Sequence, residues 1–358
     1  MNRRFARIRE NRKHGDVLAV KGSEWMGLPS KQQEAVVEEA FRYWRNRGFP
    51  YFRLTRREII SEWTALSRWQ PDGTRCVGAL STSTVGLRLA NAFQSTMWRA
   101  RVSRYLSPMD VFRSDDLLRA AIRRAYTIWP DRYGANASCL RRMLRSFPSA
   151  ASVSNYRPTT AKAIVEKYSP EASAILDFSA GYGGRMLGTL AAGRRYIGVE
   201  PNASQVRGCR RMQRAIGNVG FALPQATLIH GAAEESLPEM QSAVADLVFS
   251  SPPFFNWERY SQNKAQSFRR YPTYELWERR FLRPVLAECY RILRRKGMMA
   301  INVTNGNRLP TADVVSDAAR QTGFAPLEVL AMVFPKTPYL HPRDGSATKR
   351  ELIMLFRK

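Results

Sequence analysis

Acidic residues are scarce for a chain of this size: 30 Asp+Glu stand against 57 Lys+Arg, a formal net charge of +27 over 358 residues. Such an imbalance exceeds what solubility needs and points to a polyanionic partner, nucleic acid first and an anionic membrane surface second. Cysteine is also sparse. Cys76, Cys139, Cys209 and Cys289 form no CxxC pair, and only His14, His230 and His341 accompany them. That leaves out a zinc site of the usual spacing and a disulfide framework, and suits free thiols in a reducing cytosol. No apolar run approaches the roughly 18 residues of a membrane helix. The basic N-terminus, "MNRRFARIRENRKHGD", has no apolar stretch behind it and is no signal peptide. It reads equally as an arm along phosphates or as a frayed, solvated end. Internal repeats and low-complexity tracts are absent.

What is present divides near residue 150. Residues 1–150 read as a basic, mainly helical region. "SKQQEAVVEEAFRYWRNRG" has Ser30 as N-cap and stops at Gly48, and "TRREIISEWTALSRW" follows Thr55. "STVGLRLANAFQSTMWRARVSRYL" and "SDDLLRAAIRRAYTIW" continue in the same manner. Arginines and aromatics interleave there, among them Trp44, Arg45, Phe52, Arg53, Trp98 and Arg99. Taken singly, each suits an amphipathic helix with a solvated arginine; together they suggest a nucleic-acid surface. "SFPSAASVSNYRP" is a linker or loop. Residues 151–358 then alternate strands with helices, from "AILDFSAG" to a closing strand "RELIMLFRK". The long helix "TYELWERRFLRPVLAECYRILR" should bend near Pro284. The alternation predicts an α/β fold: a Rossmann-like sheet with helices on both faces, ligands lying at the carboxyl ends of its strands.

Two stretches carry chemistry. "ILDFSAGYGGRMLG" is strand, glycine-rich turn and helix, where Gly181, Gly183 and Gly184 allow a sharp turn and close approach of a ligand. Glu200 ends the next strand at the spacing where an acid meets ribose hydroxyls. "GYGGRMLG" does not fit the G-x-G-x-x-G of dinucleotide sites, which disfavours a nicotinamide oxidoreductase. Asp177, just before the turn, would sit badly beside a pyrophosphate and suits a cofactor with a positively charged amino-acid end. In "DLVFSSPPFFNWERY", an apolar strand stops at Ser251-Pro252-Pro253-Phe254, two βα units further on. The prolines fix φ and donate no hydrogen bond, so the strand ends rigidly with its carbonyls free.

Together these stretches resemble the S-adenosylmethionine-dependent amino-methyltransferases of DNA, of the N4-cytosine/N6-adenine type, over about residues 152–358. The resemblance implies S-adenosylmethionine as cofactor. It places Asp177, Phe178, Ala180, Gly181 and Gly183 in the cofactor turn and Glu200 and Pro201 at the next strand end. Arg157, Pro158 and Thr159 in "NYRPTTAKAI" correspond to the motif packing on the methionine end. "LIHGAAEESL" corresponds to the adenine-side turn, but has Ala232 where an Asp is frequent, with Glu234 and Glu235 beyond it. Ser251, Pro252, Pro253 and Phe254 are the implied catalytic residues. Ser251 Oγ and the Pro252 carbonyl would accept the N–H groups of an exocyclic amine and free its delocalised lone pair, while Phe254 stacks on a flipped base. Phe255, Trp257, Tyr260, Arg269 and Arg270 fall in a loop expected over the base pocket. No cysteine follows the prolines, so a thiolate route to carbon-5 of cytosine is not expected. The first-position serine leans toward N4 of cytosine over N6 of adenine. Duplex DNA is the expected partner, and the expected location is cytoplasmic, on a nucleoid or phage-encoded. With little chain after the last strand, target recognition should fall to residues 1–150, together with the 256–272 loop. An RNA base methyltransferase and an inactive DNA-binding protein of the same fold are the alternatives.

Overall fold

The computed structural model describes residues 20–71, 83–128, 134–253, 266–303, 311–332 and 351–358 in full, and the backbone of 8–11, 15–18, 79–80, 258–259, 333 and 350. The chain forms two compact units: residues 1–52 with 97–153, and residues 53–96 with 154–358.

The larger unit is built on an eight-stranded sheet. In spatial order its strands are Ala79–Leu80, Ala325–Val333, Arg350–Arg357, Leu293–Val303, Ala245–Ser250, Ala174–Asp177, Arg195–Glu200 and Ala226–His230. Arg350–Arg357 runs antiparallel to both its neighbours and the other pairings are parallel. The four residues of Ala174–Asp177 are all buried, as expected of a strand covered on both faces. On one face lie Val285, Leu286, Val315 and Ala319 of the helices Arg283–Ile292 and Thr311–Thr322, packed with Leu176 and Val199. On the other, Ile164 and Val165 of Pro158–Tyr168 meet Ile175 and Leu247. Strand order reverses between Ala174–Asp177 and Ala245–Ser250, and the crevice outside their carboxyl ends is where a doubly wound sheet holds its ligands.

Residues 53–96 pack on this sheet unit. Trp63, Leu66, Leu89 and Ala90 share a cluster with Met186, Leu187 and Leu190. One boundary between the units lies at 153/154, and the 53–96 segment groups with the sheet instead of the N-terminal helices. The short strand Ala79–Leu80 in that segment, too brief to leave a periodic pattern, joins the sheet edge. Pro284 does interrupt its helix: Glu278–Leu282 is a wide π-turn, and Pro284 falls in the first turn of Arg283–Ile292, where its missing N–H costs nothing.

The smaller unit is helical, with Ser30–Arg47, Asp115–Ile128 and Ala137–Arg145 as its main elements. Trp25 stacks on Tyr126 with ring centroids 5.4 Å apart, and the Trp44 indole N–H donates to the Ala135 carbonyl at 3.0 Å. Pro29, not Ser30, occupies the N-cap of Ser30–Arg47, whereas Thr55 caps Arg56–Arg68 by accepting from the Glu58 amide at 3.3 Å. The basic N-terminus is neither arm nor frayed end throughout, because Ile8–Asn11 and Gly15–Leu18 pair as an antiparallel hairpin. Several arginines of this unit are engaged internally. Arg119 lies 3.7 Å above the Phe41 ring and pairs with Glu38, and Arg123 pairs with Glu34.

Candidate active site

The glycine-rich turn joins the Ala174–Asp177 strand to the Gly184–Ala191 helix. Gly181 and Gly183 have φ of 56° and 81°, a left-handed conformation that glycine adopts without strain. A Cβ built on Gly181 would meet nothing nearer than the Ser179 carbonyl at 3.7 Å, so the outer face of the turn is open to a ligand. The inner face is packed tight. A Cβ on Gly184 would fall 2.0 Å from the Tyr156 carbonyl oxygen, and one on Gly188 2.3 Å from that of Pro158. Asn155 clamps the turn from outside: its side-chain oxygen accepts the Gly184 amide at 3.0 Å and its amide donates to the Tyr182 carbonyl at 3.1 Å.

Glu200 closes the same turn. Its carboxylate accepts the amides of Gly181 and Asn202, both at 2.9 Å, and with its amide correctly oriented Gln205 donates to it at 2.7 Å. Burial pushes the Glu200 carboxyl up to about 7, although the backbone donors at Asn202 and Gly181 pull the other way. A buried acid with that bias gains from further hydroxyl donors. Ribose hydroxyls supply them, so the open glycine face and Glu200 fit a nucleoside cofactor.

Asp177 is placed differently from expectation. It is fully buried, and its oxygens accept from Arg185 Nε at 2.8 Å, Arg185 Nη2 at 3.2 Å, the Tyr196 hydroxyl at 2.8 Å, the Ser250 hydroxyl at 2.7 Å and the Ser179 amide at 3.2 Å. It therefore faces Arg185 and not the open side of the turn. Burial opposes the guanidinium charge, but Asp177 outweighs it and holds Arg185 firmly protonated. Burial first, and Asp177 next, also push the Tyr196 hydroxyl well above its ordinary range.

Arg185 reaches further. Its Nη1 donates to Ser251 Oγ at 2.9 Å and its Nη2 to the Ser179 carbonyl. One buried cation thus ties the glycine-rich turn to the first residue of Ser251-Pro252-Pro253, which leaves the end of Ala245–Ser250. Sequence reasoning did not select Arg185. Its signal was its place as the last residue of "GYGGR", in the first turn of the helix that follows Asp177's strand, where an arginine can neutralise a buried acid. Ser251 and Pro253 are half-buried and Pro252 is buried.

The remaining expected residues distribute around this centre. Phe178 and Ala180 are buried in the core, the Ala180 amide donating to the Val199 carbonyl at 2.9 Å. Thr159 is fully buried and donates to the Ser83 carbonyl at 3.1 Å, which Arg157 also reaches at 3.3 Å. Pro158 lines the close contact with Gly188. The Pro201 carbonyl lies 3.2 Å from His230 Nε2. Ala232 is buried at the start of the short helix Ala233–Ser236. Glu234 accepts from Arg270 Nη1 and the Tyr271 hydroxyl, both at 2.7 Å, and Arg270 also pairs with Glu235. Arg270 is therefore bound to the turn that carries Glu234 and Glu235, and both it and Arg269 are exposed. Phe254, Phe255, Trp257 and Tyr260 lie outside the described residues. No cluster of His, Cys, Asp and Glu among the described residues could hold a metal ion, and no described helix is long and apolar enough to cross a membrane.

A glycine-rich turn and a buried ribose-type acid, set beside a Ser-Pro-Pro strand exit in a doubly wound sheet, define the class of S-adenosylmethionine-dependent methyltransferases. Residues 245–358 match the family model of the N6/N4 DNA methylases, and this match supports an N4/N6-type amino-methyltransferase with S-adenosylmethionine as cofactor. No curated protein matches it. Among solved structures it is similar to an S-adenosylmethionine-dependent methyltransferase from Methanosarcina mazei, at 13% identity over 55% of this chain and 96% of that one, with a TM-score of 0.39. A TehB-like methyltransferase from Corynebacterium glutamicum shares 14% identity over 57% and 89%, with a TM-score of 0.37. A precorrin-6y C5,15-methyltransferase from Geobacter metallireducens shares 14% over 56% and 88%, with a TM-score of 0.38. Likenesses this distant have no bearing on substrate.

Proposed function

We propose that this protein transfers the methyl group of S-adenosylmethionine to the exocyclic amine of a base in DNA, flipped from the helix, with N4 of cytosine slightly favoured over N6 of adenine. The observation that carries the reading is the junction of Gly181, Glu200 and Ser251-Pro252-Pro253 at the carboxyl ends of adjoining strands. Gly181 and Glu200 would hold the nucleoside part of the cofactor, which supplies an electrophilic methyl group when bound. The Pro252 carbonyl, which receives no hydrogen bond among the described residues, would accept one N–H of the target amine. That draws the nitrogen toward tetrahedral geometry and localises its lone pair for in-line attack. As the N–C bond would form, the S–C bond of the cofactor would break with its electrons going to sulfur; the proton would then pass to solvent, and no covalent enzyme intermediate is required. Phe254 would stack on the base.

Charge supports a nucleic-acid substrate. The helix Ala203–Asn218 carries Arg207, Arg210, Arg211 and Arg214, and no carboxylate among the described residues pairs with any of them. Spaced three and four residues apart, they share one helical side; Arg210 and Arg211 donate to the Leu228 and Phe93 carbonyls, whereas Arg119 and Arg123 of the N-terminal unit pair with carboxylates. Target recognition by that N-terminal unit remains part of the proposal.

Mass spectrometry of nucleosides from DNA incubated with the protein and methyl-labelled cofactor tests it. Label in N4-methylcytosine or N6-methyladenine is expected. Label in RNA alone would move the same chemistry to another substrate, and no label despite bound cofactor would overturn base methylation.

A further inference from the structure

The contact between Arg185 and Ser251 fixes where the serine proton can go. A guanidinium only donates, so Ser251 Oγ is the acceptor in the 2.9 Å bond from Arg185 Nη1. Asp177, the carboxylate held by the same guanidinium, is no alternative acceptor for the Ser251 proton. Its oxygens already receive Arg185, Tyr196 and the hydroxyl of the preceding residue, Ser250. No described residue accepts from Ser251, which is half-buried at the strand exit. A hydroxyl that accepts from a cation becomes a poorer acceptor and a stronger donor. The serine expected to accept from the target amine is thus prepared for the opposite role.

We propose that Arg185 is a positioning residue that turns the Ser251 hydroxyl into a donor aimed at the ring nitrogen beside the target amine, so that the site selects the N=C–NH2 edge of a base. This inference rests on the reading that a base amine is methylated. The Pro252 carbonyl then serves the amine and Ser251 serves the adjacent lone pair. Cytosine offers that pair as N4 and N3, adenine as N6 and N1. Donation to the ring nitrogen also orients the amine, because the two groups are held rigidly in one plane. Asp177 keeps the guanidinium charged and oriented, so the motif acid acts on Ser251 through Arg185.

The test uses oligonucleotides whose target base has that ring nitrogen replaced by C–H, 3-deazacytosine or 1-deazaadenine, compared with the natural base in single-turnover assays. Wild type, Ser251→Ala and Arg185→Lys are measured, with cofactor affinity by calorimetry. The deaza base should slow the wild type about ten- to hundredfold, as expected for a lost hydrogen bond in a buried site. In Ser251→Ala the deaza base should add less than about threefold, since the donor is already gone. Any change in amine reactivity caused by the deaza base is common to both enzymes and cancels in the ratio. Arg185→Lys keeps the charge against Asp177 but not the fork. It should shrink the deaza effect and lower kcat while cofactor affinity stays within about threefold. Equal deaza penalties in wild type and Ser251→Ala would overturn the proposal and leave base methylation standing. Failure of the wild type to methylate any natural cytosine or adenine, with cofactor bound, would overturn both.

Discussion

The Glu200 carboxylate and the Gly181 amide, nineteen residues apart, are joined by a 2.9 Å hydrogen bond that closes the glycine-rich turn on the following strand. The acid is buried, and burial raises its carboxyl from an ordinary 4.5 to about 7. The sign for folding follows. The stability that this group contributes is fully present below pH 4.5, where both states are protonated, and is lost as pH rises through 7. The sign for ligand binding is the reverse, because ribose hydroxyls donate best to the ionised form. Cofactor affinity should therefore rise with pH up to about 7 and then level, by at most about tenfold per unit. Calorimetry at pH 6 in buffers of different ionisation enthalpy should show proton release on binding. Glu200→Gln should bind more weakly and without pH dependence. Proton uptake by the wild type would contradict the role given to Glu200.

Two glycines separate tight packing from conformational cost. Gly188 sits where a Cβ would fall 2.3 Å from the Pro158 carbonyl oxygen and 2.6 Å from the Ala161 Cβ, and neither neighbour is a flexible side-chain end. Gly188→Ala should destabilise by about 1–3 kcal/mol or more. Gly217 is an exposed helical glycine with nothing within 4 Å of a built Cβ. Gly217→Ala should stabilise by about 0.5–1 kcal/mol through helix propensity. Urea denaturation of both variants checks the pair; a stabilised Gly188→Ala would mean that the two helices do not pack as closely as described.

What was legible in the sequence was what leaves a local pattern. Continuous apolar runs marked Ala174–Asp177 and Ala245–Ser250, and glycine spacing marked the turn between strand and helix. The position of Glu200 followed from chain spacing alone. Arg185 was not legible, since its importance lies in a contact with Ser251, sixty-six residues away, that only the strand order creates. Asp177 stands out in the sequence as suited to a positively charged group, but spacing cannot tell which way a strand-end carboxylate turns, and in the fold it meets Arg185. The basic helix that carries Arg119 and Arg123 contributes to the expected nucleic-acid surface for a similar reason. Their partners Glu38 and Glu34 are on another helix, about eighty to ninety residues earlier.

That difference among arginines is testable. Arg119 is held by Glu38 and the Phe41 ring, so Arg119→Ala should lower Tm and leave the salt dependence of DNA affinity unchanged. Arg210 and Arg214 have no carboxylate partner and border a concave surface of about 640 Å³ that also includes Gln213 and Phe221. The double variant Arg210→Ala/Arg214→Ala should weaken DNA binding and reduce the slope of log affinity against log salt by about 0.9 for each phosphate left without its arginine. Titrations at several salt concentrations by fluorescence anisotropy read both quantities. An unchanged slope in the double variant would remove this helix from the nucleic-acid surface.

The proline pair sets the last expectation. A residue before proline is driven away from helical conformations into extended ones, so Pro252 restrains Ser251 and Pro253 restrains Pro252. The ψ angle of Pro252 decides where its carbonyl points, and that carbonyl is the acceptor assigned to the target amine. Pro253→Ala relaxes this angle without touching Gly181 or Glu200. Turnover should fall about ten- to a hundredfold, the scale on which slight misplacement of a catalytic group acts, while cofactor Kd changes less than about twofold. Single-turnover rates beside calorimetry separate the two. Equal loss of turnover and cofactor affinity would show that the prolines support the fold of the whole site and not the direction of one carbonyl.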